Sequence, residues 1–156
     1  MALVAFVFAA VMMIAEGLEK TLVDTGFPDN VIVIRASAET EVSSAIERAS
    51  AAIIEVQPEV ELNSLGEPLA AKETLVLVNL PKRDGDKPSH VAVRGFGPQS
   101  LNLRPQIKLI AGRIPRPGSR EVMAKKSISE SIKGASMGGA LDFALSRWDE
   151  IGRAHV

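Results

Sequence analysis

The sequence predicts an α+β fold: an apolar helix, then a mixed α/β body that carries a more β-rich portion. Three observations predict it. Residues 1–15, MALVAFVFAAVMMIA, hold no charge, no proline and no glycine, which is helix chemistry without a polar face. Glu39 to Ile54 places Val42, Ile46, Ala49 and Ile53 at steps of three and four, the stripe of a helix lying on a core. Thr74 to Leu80 and Ser89 to Phe96 are two strand-like runs on either side of the Asp84-Gly85 pair, a hairpin signature.

Composition narrows the class. The 156 residues suffice for one domain with a real core, and 46% are hydrophobic. Aromatics make up only 4%, with a single Trp, so the core is a matter of Val, Ile, Leu and Ala. A net charge of -1 gives no global field toward nucleic acid or lipid headgroups. The absence of cysteine excludes disulfides, thiol catalysis and cysteine-based zinc sites. Charge is uneven along the chain. Asn30 to Glu67 holds seven acidic and two basic residues, and Leu69 to Lys133 thirteen basic and five acidic. Such blocks usually interleave in space.

The opening run rises about 22 Å as a helix, short of the roughly 30 Å hydrocarbon core of a bilayer. It lacks the basic n-region of a signal peptide. The run reads as the distal part of a transmembrane helix, with Leu3, Val4, Phe6, Val7, Phe8, Val11, Met12 and Ile14 in the membrane. A signal peptide and an ordinary buried helix are the competing readings. Glu16 to Leu22 continues it as a polar, helix-compatible stalk. Residues 1–22 therefore form helix end and stalk, and 23–156 the water-facing domain.

Beyond the stalk, Gly26-Phe27-Pro28-Asp29 reads as a turn and Asn30 to Arg35 as a buried central strand. Thr40, or Ser43 or Ser44 one register later, caps the following helix. Val60 to Leu65 reads as a strand and Gly66-Glu67-Pro68 as a turn. After the hairpin come an apolar run ending at Ala111, a Pro/Gly connector over Gly112–Gly118, and a short strand from Glu121. A helix over Ala124–Ile132 follows, then a glycine turn into Leu141–Leu145, and Trp148–Val156 reads as another strand pair.

The segments IKLIAGRIPRPGSREVMAKKSISESI, GASMGGALDF and SRWDEIGRAHV resemble the extracytoplasmic domain of MacB-like and FtsX-like permease subunits of ABC transporters. The matching positions are Gly112, Arg113, Pro117, Gly118, Glu121, Gly138, Leu141 and Trp148. In that family a strand leads to the Gly-Arg pair, and a Pro/Gly turn and a Glu-headed strand follow. Lys125-Lys126 and Gly139-Ala140 depart from the pattern. The resemblance covers the C-terminal third most specifically. It implies a mixed α/β membrane-proximal subdomain, a more β-rich distal subdomain over residues 69–101, and a place on the cytoplasmic membrane facing the periplasm or cell exterior. It implies a cytoplasmic ATPase subunit, a periplasmic adaptor protein, the membrane and a second copy of the chain as partners. The role implied is coupling ATP-driven motion to export or mechanotransmission. A secreted or periplasmic binding or adaptor protein is the alternative.

No chemistry competes with this. His90 and His155 lack companions at metal-ligand spacing. Gly134–Gly139 lacks the Gly-Lys-Ser/Thr of a phosphate loop, so ATP hydrolysis belongs to another subunit. No serine has an identifiable activator, and Asp84 and Asp86 fall short of a calcium loop. The basic series Arg104, Lys108, Arg113, Arg116, Arg120, Lys125, Lys126 lacks the interleaved aromatics of a single-strand binder and reads as a solvated face, with a surface facing anionic lipid or an acidic partner as the alternative. The expectation is a non-enzyme with no cofactor, no metal and no nucleic-acid partner.

Overall fold

The computed structural model describes residues 2–23, 29–85 and 87–155, with the side chains of residues 2, 3, 5 and 18–23 outside that description. The chain divides into two units, Met1–Val33 and Ile34–Val156.

In the first unit, α1 spans Ala2–Val23. Val4, Phe6, Val7, Phe8, Val11, Met12 and Ile14 are each between 53% and 73% exposed, so the helix presents apolar surface on every described side. The side chain of Leu3 lies outside the described residues. Among the described residues, no helix is long and apolar enough to cross a membrane. The uncharged part of α1, Ala2 to Ala15, rises only about 21 Å. Gly26, Phe27 and Pro28 of the expected turn lie outside the described residues.

The strand expected over Asn30–Arg35 is absent: residues 31–35 follow no regular element, and Val31 and Ile32 are exposed. β-branching favours an extended backbone, but a strand exists only where a neighbour takes its amides and carbonyls. Here the Arg35 amide donates to Ser44 Oγ at 2.9 Å, and the Arg35 carbonyl accepts from the Ala38 amide at 2.8 Å. The chain turns instead of pairing.

The helix expected over Glu39–Ile54 is two pieces in the second unit. A 3-10 turn covers Glu41–Ser43, and α2 covers Arg48–Glu55. Thr40 does cap the first. Its hydroxyl accepts the Ser43 amide while the Ser43 hydroxyl accepts the Thr40 amide, a reciprocal box. Ser43 and Ser44 spend their hydroxyls on backbone groups, which competes with helix continuation. The strand expected at Val60–Leu65 reduces to a single bridge between Leu62 and Pro68. Asn63 Oδ1 accepts the amides of Leu65 and Glu67, both at 2.9 Å, and closes a turn through Gly66 at φ 76°.

The hairpin forms as the sequence reads: β1, Thr74–Leu80, pairs antiparallel with β2, Ser89–Gly95, with Val78 opposite Val91. The second sheet gathers on one strand. β6, Ser146–His155, pairs antiparallel with β3, Lys108–Gly112, and with β5, Ala140–Phe143, and parallel with β4, Glu121–Lys125. Helix α3, Lys126–Ser131, follows β4 directly. The pair expected over Trp148–Val156 is one strand. β6 runs unbroken to His155, with register shifts at Ile151 against β4 and at Ile110 of β3, and the turn lies earlier, at Ala144-Leu145.

The two sheets share one core. Leu80 and Val91 of the hairpin pack with Ile132, Ala135 and Leu141, and Val78, Val122, Ile128 and Phe143 lean on that cluster. Each large apolar side chain so buried contributes about 1.5–3 kcal/mol. Backbone bonds tie the hairpin loop to the end of α3, from the Arg83 amide to the Ser131 carbonyl at 2.8 Å and from the Lys133 amide to the Pro81 carbonyl at 2.9 Å. The charge blocks do interleave, since Lys72 pairs with Glu55 and Arg94 with Glu41.

Candidate functional site

The sequence-matched residues converge on β6. Gly112 ends β3 at φ 78°, a left-handed value that glycine adopts freely. A Cβ there would strike the Ile151 carbonyl oxygen. The chain then turns so that the Arg113 amide donates to that same carbonyl at 3.1 Å. From there Arg113 reaches across the Pro117-Gly118 turn. Its Nη1 and Nη2 donate to Glu121 Oε2 and Oε1 at 2.8 and 2.5 Å, a fork-to-fork pair. The Arg116 amide adds a third bond to Glu121 Oε2 at 3.0 Å. The Arg113 guanidinium and then the Arg116 amide hold the Glu121 carboxyl down to about 2. Gly118, at φ 76°, supplies the turn between them.

Gly112, Arg113, Gly118 and Glu121 thus form one clasp that fixes β3 and β4 against β6. Pro117 lies exposed in the loop. Gly138 sits apart from the clasp at φ 76°, its amide donating to the Glu150 carbonyl of β6 at 2.9 Å. Leu141 is buried opposite Trp148 in the β5–β6 ladder. The Trp148 ring stacks on Phe143 with centroids 5.1 Å apart, and its Nε1 donates to the Phe143 carbonyl at 3.3 Å.

Three further features have no signal in the sequence. Glu150, on β6, is 0% exposed. Ser129 Oγ bridges it to Arg153, donating to Glu150 Oε1 at 3.3 Å and accepting from Arg153 Nη2 at 2.8 Å. Burial pushes the Glu150 carboxyl up, against the smaller opposing pull of Ser129 and the Arg153 charge. An acid beside a serine suggests a nucleophile, but Ser129 is itself buried, and a substrate has no route to it. The cluster packs α3 against β6, with the Glu150 carboxyl raised by its burial.

Glu73 is the second. Arg104 forks onto it and Arg94 Nη1 donates to its Oε2 at 2.9 Å, while Arg94 Nη2 donates to Glu41 Oε2 at 2.5 Å. Burial pulls the Glu73 carboxyl up, but Arg104, Ser100 and Arg94 outweigh it and leave it lowered. The network ties the 3-10 turn, the hairpin and the Gly97–Arg104 loop together.

The third is the β5–β6 turn. Phe143 pairs with Ser146, so only Ala144 and Leu145 make the connection. Both take positive φ, 50° and 57°, the arrangement a two-residue hairpin needs and which Asn-Gly ordinarily fills. For a residue with a Cβ this conformation costs about 1–2 kcal/mol. Leu145 is fully exposed at 107%. A shallow hollow of about 360 Å³ opens beside it, lined by Asp142, Phe143, Leu145, Ser146 and Arg147.

Among the described residues, no group of three or more His, Cys, Asp or Glu side chains has metal-holding geometry. What the structure defines is a small mixed α+β domain with two sheets and, among the described residues, three α-helices. No family model, no curated protein and no solved structure matches the chain.

Proposed function

We propose that the chain is the extracytoplasmic domain of an ABC-transporter permease subunit, resembling MacB-like and FtsX-like proteins, rooted in the cytoplasmic membrane through the helix that contains α1. The observation that carries this reading is the convergence of its motif positions. Gly112, Arg113, Gly118 and Glu121 close one clasp on the strand that also bears Trp148. A helix apolar on every described side supports it, since only lipid or protein can cover such a surface.

The mechanism asks for stiffness. In such a machine a partner ATPase draws its two membrane halves together, and the outer domains move as levers. One core shared by both sheets, together with the Glu73 network, makes residues 34–156 a body that transmits displacement instead of absorbing it. In this reading residues 69–101 form the distal part, the chain ends lie toward the membrane, and the protein acts with an ATPase, a second copy and an adaptor protein. No step of chemistry is assigned to the domain.

The test is fractionation of the complete gene product in its own cells. The reading expects an integral membrane protein that co-purifies with an ATPase and stimulates ATP turnover on reconstitution. A mature protein cut near Ala15 and released without the membrane would overturn it in favour of the secreted binding protein.

A further inference from the structure

We infer that the sheet end at His155 is the surface that rests against anionic phospholipid headgroups, with Lys108, Lys125 and Lys126 supplying the charge. Four elements meet there, and each places a basic residue at its terminus. Lys108 opens β3, Lys125 closes β4, Lys126 opens α3 and His155 closes β6. The register joins them: Lys108 stands opposite His155, and Lys125 opposite Ala154. With neighbouring strands about 4.8 Å apart, Lys108 and Lys125 lie about 10 Å from each other across β6, about one Debye length. All four residues are exposed. None forms an ion pair among the described residues, not even with Glu130, one turn along α3 from Lys126. The other end of the sheet is built differently, with acid and base side by side. There Arg113 forks onto Glu121, and Arg147 faces Asp142 across the ladder. Arg116 and Arg120 contact Glu121 and Asp149 through backbone bonds.

The residue type selects the occupant. Where this fold holds a fixed carboxylate it uses arginine, at Arg94, Arg104 and Arg113, whose planar fork matches that shape. The His155 end carries lysines, mobile point charges with no fork. Such charges suit a fluid layer of phosphate headgroups better than the set carboxylates of an acidic protein. Each lysine near an anionic surface adds about fivefold to the attraction, so three together give about a hundredfold. The direction of the chain agrees, because in the permease reading the polypeptide leaves β6 through this end on its way to the membrane. The inference rests on that reading and adds which surface meets the bilayer and which lipid it selects.

The experiment uses the full chain, which has no cysteine of its own. A single cysteine is placed at exposed Ser127, beside Lys126, or at Leu145 on the opposite turn, and carries a spin label. The chain is reconstituted in nanodiscs with a trace of nickel-chelating lipid, whose broadening of the label reads its approach to the headgroups. At position 127 the broadening should be at least about fivefold greater in discs rich in phosphatidylglycerol than in phosphatidylcholine alone, and about 1 M salt should remove the difference. Position 145 should not respond. Lys108→Gln/Lys125→Gln/Lys126→Gln should abolish the difference, and the matching triple arginine variant should keep it. Melts followed by Trp148 fluorescence check that both variants fold. A label at 127 indifferent to phosphatidylglycerol, or to the triple glutamine change, would overturn the surface. So would a photo-crosslinking residue at 127 that captures an acidic protein in cells and no lipid. A chain that washes off neutral discs yet sediments with phosphatidylglycerol vesicles through the three lysines would keep the surface and discard the membrane root. A chain held equally in both discs, with 127 blind to headgroup charge, would keep the root and discard the surface.

Discussion

The double variant Ala144→Asn/Leu145→Gly isolates what the β5–β6 turn costs the fold. Wild type holds Ala144 at φ 50° and Leu145 at φ 57°, at about 1–2 kcal/mol for each residue with a Cβ. Glycine removes that cost at 145 but returns about 0.5–1 kcal/mol through the greater freedom of the unfolded chain. Asparagine recovers part of the cost at 144, because it tolerates the left-handed region. No packing is lost with the leucine, since nothing covers it. The net gain is about 1 kcal/mol, or about 3–5 °C in Tm for a unit of this size. Trp148 is the sole tryptophan of the chain, and it stacks on Phe143 beside the turn. Urea and thermal unfolding of the full chain in detergent micelles, followed by its fluorescence, reads the change directly. An unchanged or lower midpoint would refute the reasoning, because it would mean that the turn is unstrained or that Leu145 is packed.

Other outcomes follow from the same contacts. Gly112→Ala should destabilise by at least about 2 kcal/mol in a urea melt, since the new methyl meets the Ile151 carbonyl and φ is positive. Arg113→Ala should return the Glu121 carboxyl from about 2 toward the ordinary carboxylate range in an NMR titration, with Arg116→Ala as a control that keeps the amide bond. Ile132→Ala, at the centre of the shared core, should cost about 2–5 kcal/mol. Glu150 and Glu73 set opposite pH slopes. The raised Glu150 favours the folded state at low pH, and that contribution is lost as pH rises through its folded value. The lowered Glu73 contributes above the ordinary carboxylate range, and that contribution is lost as pH falls through its folded value. Glu150→Gln should therefore flatten the loss of stability as pH rises above the ordinary carboxylate range, and Glu73→Gln should flatten the loss as pH falls below it. Unchanged slopes in urea melts across that range would contradict both assignments.

Local signals were legible and distant ones were not. The β1–β2 hairpin could be read because its alternation and its Asp84-Gly85 pair lie within a few residues of each other. Thr40 was readable as one of three candidate caps for the same reason, though its reciprocal bond with Ser43 was not. Asn30–Arg35 misled because β-branching reports only backbone preference, while pairing depends on what lies alongside. The Glu39–Ile54 stripe hid the break that Ser43 and Ser44 impose by bonding backbone with their hydroxyls. Gly112, Arg113 and Glu121 were visible through resemblance alone, since nothing in their spacing says that the arginine forks onto the glutamate. Glu73 with Arg104, and Ser129 with Glu150, join residues 31 and 21 positions apart, and only folding brings them together. Leu145 escaped notice because Ala-Leu carries no turn chemistry, which is also why its place in the turn is informative.

The place of β6 in the chain bears on how the protein is made. Strands β3, β4 and β5 all precede it, and each finds its ladder partner in it. As the chain emerges during synthesis, the β1–β2 hairpin can close from neighbouring residues alone. β5 can close on the first residues of β6 across its two-residue turn, but β3 and β4 must wait with open edges until the rest of β6 has cleared the ribosome. The second sheet then completes late, and a stall or truncation shortly before β6 leaves three unpaired strands exposed to aggregation.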